Sequence, residues 1–302
     1  MSTPIPPGAE DLAAQALDTA WARRSFDRAA STFDGAAVLH SEVRGNLLGR
    51  LELMTLTPRV VLDAGTGTGH AARALKRRYP KASVIALDSS RRMLLAADQQ
   101  QSWLRRFARV QADAHAVPLA DGSVDLIVSN LMLPWCDPDL VFAEFRRVLA
   151  PRGLFCFTTY GPDTLRELRS AFLKVDSHPH IHQFIDMHDL GDALVRSGFA
   201  APVLDVEHFT LRYLDVQRVA ADLKATGARN AAHGRPRGLM GRGKLATLAI
   251  GYEAFRQDGR LPATYEVVFG HARAPADEAR RGDGTTVSLE EVRQRLRARR
   301  RP

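Results

Sequence analysis

The sequence predicts an α/β fold in which a mostly parallel sheet, wound with helices on both faces, ends in an antiparallel edge beneath a helical lid. Three observations carry that reading. From Val60 onward, short β-branched or apolar runs alternate with helical patterns, as parallel strands joined by helical crossovers do. After Thr159 the spacing changes and helical stretches predominate. Two strand-like runs, 202–213 and 264–271, flank two of those stretches, an order that suggests an antiparallel edge with the helices between lying over the carboxyl ends of the sheet.

Taken in order, residues 1–23 open Pro-rich and read as a flexible extension ahead of a domain spanning 24–272. Strands are expected at 60–63, 83–87, 108–111, 124–129 and 154–159, with helices at 69–79, 91–101 and 140–149 between them. Pro151 and Gly153 stop the last of these helices and turn the chain. Helices at 163–172 and 188–197 precede the strand at 202–213, and helices at 216–227 and 245–256 precede the final strand. Residues 273–302 read as a basic tail, disordered apart from a short helix candidate whose Ser288 and Glu291 fit a capping box.

A chain of 302 residues, 45% hydrophobic, can bury one α/β domain with an elaboration. No apolar run approaches the roughly 20 residues of a membrane span, and the start lacks the pattern of a secretion signal, so the reading is cytoplasmic. Cys136 and Cys156 have no zinc or redox spacing and sit among apolar residues, as buried thiols do. The formal charge is +8, but residues 273–302 hold nine Arg against five Asp or Glu, so +4 of it belongs to the tail. What remains is mildly basic, which suits an acidic protein partner as well as RNA.

The segment VVLDAGTGTG (60–69) is an apolar strand ending in Asp63 that passes directly into a glycine-rich turn opening a helix. Gly65, Gly67 and Gly69 allow close approach of a ligand and conformations closed to residues with a Cβ. Such a loop at a strand's carboxyl end is where open α/β sheets bind nucleotides. Asp88 ends the second strand, where a carboxylate can accept hydrogen bonds from both ribose hydroxyls. Residues 67–72 also satisfy the G-x-G-x-x-A form of the dinucleotide fingerprint. Asp63 decides between the two: a carboxylate beside the loop repels a pyrophosphate but suits a ligand with an ammonium and a sulfonium and no phosphate. S-adenosylmethionine, a methyl donor, is therefore the expected ligand. Asp113 can accept from its adenine amino group, the Ala114 amide can donate to the ring, and the backbone at Asn130 and Leu131 would lie beside the methionine portion.

These residues resemble the class I methyltransferases, whose fold is a Rossmann-like seven-stranded sheet, and more narrowly the BioC family, the malonyl-acyl-carrier-protein O-methyltransferases of biotin synthesis. The resemblance covers about residues 24–272. Its narrow part rests on FDRAA (26–30), VSNLMLPWC (128–136), FTTYGPDTL (157–165), HPHIHQF (178–184), DLKATGA (222–228) and PATY (262–265). Three positions depart from it: Phe33 stands where members often carry Tyr, and His40 and Pro134 where they often carry Gln. The resemblance places Phe33 and His40 near the donor. It implies a malonyl-bearing acyl carrier protein as partner, rather than nucleic acid or membrane, and no metal.

Methylating a malonyl carboxylate needs no strong base, because a carboxylate with a pKa near 4 is ionised at neutral pH. The site must supply in-line positioning, a dry pocket and a cation that holds the malonyl group without quenching its nucleophilicity. Lys224, within the stretch that resembles the family, is the expected holder, with His180, Arg166 and Arg169 as further candidates. The loop GRPRGLMGRGK (234–244) reads as a basic surface for the carrier. Other readings stay open: a complex I assembly factor associated with arginine hydroxylation, another small-molecule methyltransferase, or an interaction protein without turnover.

Overall fold

The computed structural model describes residues 16–276. The chain opens with α1 (Thr19–Ala29), α2 (Phe33–Ala36) and α3 (Val38–Arg50). Then β1 (Val60–Ala64), α4 (His70–Arg78), β2 (Ser83–Asp88), α5 (Arg91–Gln99), β3 (Ala108–Gln111), β4 (Val124–Asn130), α6 (Pro138–Val148) and β5 (Leu149–Tyr160) alternate. There follow α7 (Arg166–Phe172), α8 (Met187–Arg196), β6 (Ala200–Tyr213), α9 (Val216–Ala225), α10 (Arg242–Glu253) and β7 (Leu261–Arg273). The seven strands form one sheet in the order β3-β2-β1-β4-β5-β7-β6. The first five are parallel, while β7 pairs antiparallel with both β5 and β6.

Alternation along the parallel strands explains the two covered faces. Val61, Leu126 and Leu154 point to one core with Leu39, Val43 and Leu47 of α3. Their neighbours Leu62, Ile127 and Phe155 point to the other, where Phe142 and Phe145 of α6 and Leu190 of α8 close it. Strands buried on both faces need continuous apolar runs, which is what made them legible. The strand order reverses beside β1, whose neighbours are β2 and β4, and the crevice outside the carboxyl ends there is where such sheets take ligands.

Three sequence expectations need correcting. Residues 19–23, read as part of a flexible extension, form the first turns of α1; Asp18 caps that helix by accepting from Trp21 N at 2.8 Å. The segment before it is tied down as well, since Asp18 N donates to Ala231 O (2.8 Å) and His233 N to Ala16 O (2.9 Å). Finally, the turn expected at Pro151 and Gly153 lies inside β5, where Arg152 takes φ +64° and the pairing with β4 shifts register between Val124 and Leu126. The helix candidate from Ser288 lies outside the described residues.

Candidate active site

The loop after β1 is shaped by its glycines. Gly65 has φ +72°, and a Cβ there would meet the Met132 side chain at 2.5 Å. Across the crevice, β4 ends in a second tight turn, in which Leu131 takes φ +55°, a costly value for a bulky residue. Thr158 on β5 holds it there: its Oγ1 donates to Asn130 Oδ1 (3.0 Å) and accepts from Leu131 N (3.0 Å).

Between these loops lies a cavity of about 370 Å³, a size suited to a small-molecule ligand. Gly65, Gly67, Asp88, Asp113, Ala114, Asn130 and Leu131 line it, together with Phe33 and His40. Asp88 accepts from Gly67 N and Ser90 N, each at 2.8 Å, which fixes its carboxylate on the cavity wall. Burial raises its pKa to about 6, against the pull of those two amides. Asp113 accepts from the His115 backbone N–H (3.0 Å) and from Nδ1 (2.6 Å) with a single oxygen. Because Asp137 N donates to His115 Nε2 at 3.0 Å, the ring proton belongs on Nδ1, and the other Asp113 oxygen stays open to a ligand. Helix α1 covers the cavity with Ala20, Arg23 and Phe26.

Two expected donor residues lie elsewhere. Asp63 is 1% exposed beneath the loop, where it accepts from Thr66 Oγ1 at 2.6 Å, and burial lifts its carboxyl to about 6. It shapes the loop from below, because its position on the strand turns it into the core. Gly69 precedes α4 with φ +83°, and a Cβ there would strike Ala97 at 2.8 Å, so packing rather than ligand contact requires it.

A second, apolar cavity of about 620 Å³ lies under the lid, lined by residues of α7, α9 and α10 and by Tyr160, His182 and Tyr265. His40 and Trp135 are common to both cavities and form the neck between them. Beyond it, a surface groove of about 1050 Å³ runs along the basic loop and shares His180, Arg229 and Asn230 with the apolar cavity.

Of the acceptor candidates, Lys224 lies exposed in the last turn of α9 on the apolar cavity's wall, and no described group pairs with its ammonium. His180 also lines that cavity, but its Nε2 is engaged by Asp176 Oδ1 (2.7 Å) and its ring stacks on Phe172 at 4.0 Å. Arg166 and Arg169 do not line it. Arg166 faces solvent and pairs with Asp163 at 3.3 Å, as a residue on an open helix face does. Arg169 donates to Ile181 O at 3.2 Å and so props the loop that carries His180 and His182.

Two side chains were missed in the sequence. Arg229 is a half-buried cation on the walls of both the cavity and the groove, without a described partner; it follows Gly227, whose position after α9 was the available signal. His182 is 3% exposed, and its Nε2 donates to Pro134 O at 3.1 Å. Burial holds it neutral, with a pKa of about 4. In the basic loop, Arg235 pairs with Asp18 (2.9 Å) and Lys244 with Asp176 (2.7 Å), while Arg237 and Arg242 stay exposed and unpaired among the described residues.

Carboxylates on the donor cavity's wall give it the polarity of a site for hydroxyl and cationic groups, and the sheet opens it at the switch point. The protein is accordingly a methyltransferase of the S-adenosylmethionine-dependent class. Residues 62–157 match the family model described as a methyltransferase domain. A protein of Methylovorus sp. (strain MP688) named malonyl-[acyl-carrier protein] O-methyltransferase is 54% identical over 275 residues, covering 89% of this chain and 93% of its own. One of the same name from Laribacter hongkongensis (strain HLHK9) is 55% identical over 273 residues, covering 87% and 92%. The chain belongs to the malonyl-[acyl-carrier protein] O-methyltransferase family. The YcgJ protein from Bacillus subtilis shares the fold, with a TM-score of 0.56 at 16% identity over 78% of this chain and 99% of that one. No helix among the described residues is long and apolar enough to cross a membrane.

Proposed function

We propose that the chain transfers the methyl group of S-adenosylmethionine to the free carboxylate of a malonyl thioester on acyl carrier protein, the early step of biotin synthesis that the family resemblance implies. The observation that carries this reading is the series of spaces: groove, apolar cavity, neck, donor cavity. An acceptor on a long arm must reach a buried methyl from outside, and adjoining spaces that share lining residues from the surface inward suit such an arm, whereas a free small acid would not call for the outer groove.

The bound donor supplies a methyl group on a sulfonium. Asp88 would accept from its ribose hydroxyls, while Asp113 and the Ala114 amide would hold its adenine and the turn at Asn130 and Leu131 would border its methionine portion. Lys224 and Arg229 draw the malonyl group inward, and the apolar walls exclude the water that would otherwise solvate its carboxylate. The exposed pair Arg237 and Arg242 meets the acidic carrier.

Incubation with labelled donor tests this, with malonyl carrier protein, malonyl coenzyme A, free malonate and an arginine-containing protein as parallel acceptors. Base-labile label on the carrier, at a higher rate than on free malonate, is expected. Label on arginine, or none on any malonyl thioester, would overturn the reading.

A further inference from the structure

The neck between the two cavities is where an acceptor oxygen and the donor methyl must meet, and the two residues that form it are unusual in one respect. Each carries a ring nitrogen that bonds nothing. Neither Trp135 Nε1 nor His40 Nε2 has a hydrogen-bond partner among the described residues, and neither is a sealed nitrogen; the buried ring nitrogens without partners are His40 Nδ1 and His182 Nδ1. Nδ1 of His40 is enclosed without a partner and Nε2 is not, so the ring proton is assigned to Nε2, the nitrogen a ligand can reach. Burial and the nearby Arg44 hold His40 neutral, at a pKa of about 4.

Both rings are fixed in place. Trp135 stands edge-on to Phe26 (5.2 Å) and His182 (4.9 Å), and His182 is itself tethered to Pro134 O. His40 stands edge-on to Phe33 at 5.1 Å, and its backbone carbonyl accepts from Asn130 Nδ2 at 3.1 Å, which ties it to the end of β4. Two neutral donors, locked by aromatic contacts, thus border the point where the two cavities join.

The chemistry favours neutral donors there. In the transfer an O–CH₃ bond forms, the S–CH₃ bond breaks with its electron pair passing to sulfur, and the charges on carboxylate and sulfonium cancel. No proton moves. The acceptor is therefore more negative in the ground state than in the transition state, so a cation in contact with it would stabilise the wrong state. An N–H dipole orients an oxygen while opposing its reaction far less. Resting on the malonyl thioester reading above, we propose that His40 Nε2–H and Trp135 Nε1–H hold the acceptor carboxylate at the neck, and that Lys224 and Arg229 attract it without touching it during transfer. This gives His40, placed beside the donor by family resemblance, a contact with the acceptor instead.

The test uses the full chain, saturating donor and the malonyl thioester of N-acetylcysteamine in single turnover, with donor and product affinities measured by calorimetry. Wild-type turnover tests the functional reading; the variants test this inference. His40→Leu and Trp135→Phe should each slow transfer about tenfold or more, with donor affinity retained within about threefold, the loss expected of a hydrogen bond to a charged group. His40→Gln, which keeps an N–H, should stay within about threefold of wild type, and Lys224→Met should raise the Michaelis constant more than it lowers the saturated rate. The inference fails if His40→Leu weakens donor binding in proportion to the rate, if both neck variants transfer at the wild-type rate, or if Lys224→Met lowers the saturated rate as steeply as they do.

Discussion

Asp88 combines a backbone-pinned carboxylate with a pKa raised to about 6, and the sign of that shift sets how binding responds to pH. Burial favours its protonated form, so the stability it contributes is fully present below the ordinary value of 3.8 and is lost as pH rises through about 6. Asp63 behaves alike, whereas His40 and His182, each held near 4, oppose both, since their contribution is lost as pH falls below 6.5. These terms offset one another in a thermal melt, so ligand affinity is the cleaner readout. Ribose hydroxyls donate to the ionised carboxylate, and donor affinity should therefore rise between pH 5 and pH 7, by at most about tenfold per unit, then level off. Calorimetric titration across that range checks it, and Asp88→Asn should flatten the profile; a flat wild-type profile would remove Asp88 from the donor site. The residues legible in sequence were those whose role follows from a strand's end: Asp88, Asp113, Ala114, Asn130 and Leu131 all lie on the cavity wall. Arg166 and Arg169 were not, because helical spacing does not say which face meets a cavity. Asp63 was identified as a ligand contact when its strand position turns it inward.

At the scale of elements, the parallel strands and their crossovers were legible because burial on both faces imposes unbroken apolar runs. The first three helices left weaker marks. Gly45 and Gly49 weaken the helical pattern of α3, although the helix runs unbroken through them, and α1 begins within the residues read as an extension. That helix forms part of the donor cavity's cover, and its start is latched to the basic loop: Arg235 pairs with Asp18 at 2.9 Å and lies over the Trp21 ring at 4.8 Å, while Trp21 Nε1 donates to Asn230 O at 3.2 Å. The pair is shielded, with the two side chains 12% and 19% exposed, so breaking it leaves Asp18 poorly solvated. Arg235→Met should therefore loosen α1 and speed release of S-adenosylhomocysteine by roughly three- to tenfold, the equivalent of about 1 kcal/mol. Stopped-flow displacement measures this, and an unchanged release rate would show that the cover does not depend on the latch.

For the molecule as a whole, the series of spaces separates two electrostatic tasks that the overall charge of +8 obscures. In the basic loop, Arg235 and Lys244 are spent on internal pairs, which leaves Arg237 and Arg242 facing solvent beside the groove. Lys224 belongs to the apolar cavity further in. A carrier protein would meet the outer pair, whereas a small thioester would bypass it and still pass Lys224. Charge reversal at Arg237 and Arg242 should accordingly raise the Michaelis constant for the carrier-linked substrate alone. The effect should be steep at low salt and weak at high salt, because exposed charges are screened beyond about 10 Å at 0.1 M. Lys224→Met should instead raise the Michaelis constant for both substrates, because each of them has to pass the cavity whose wall carries that lysine. Steady-state assays of each variant on both acceptors, at two ionic strengths, resolve the four cases. If the outer variants impair both acceptors equally, the loop is part of the lid that shapes the acceptor cavity. If Lys224→Met spares the small thioester, that lysine serves the carrier surface, and Arg229 remains as the cation that draws the malonyl group inward.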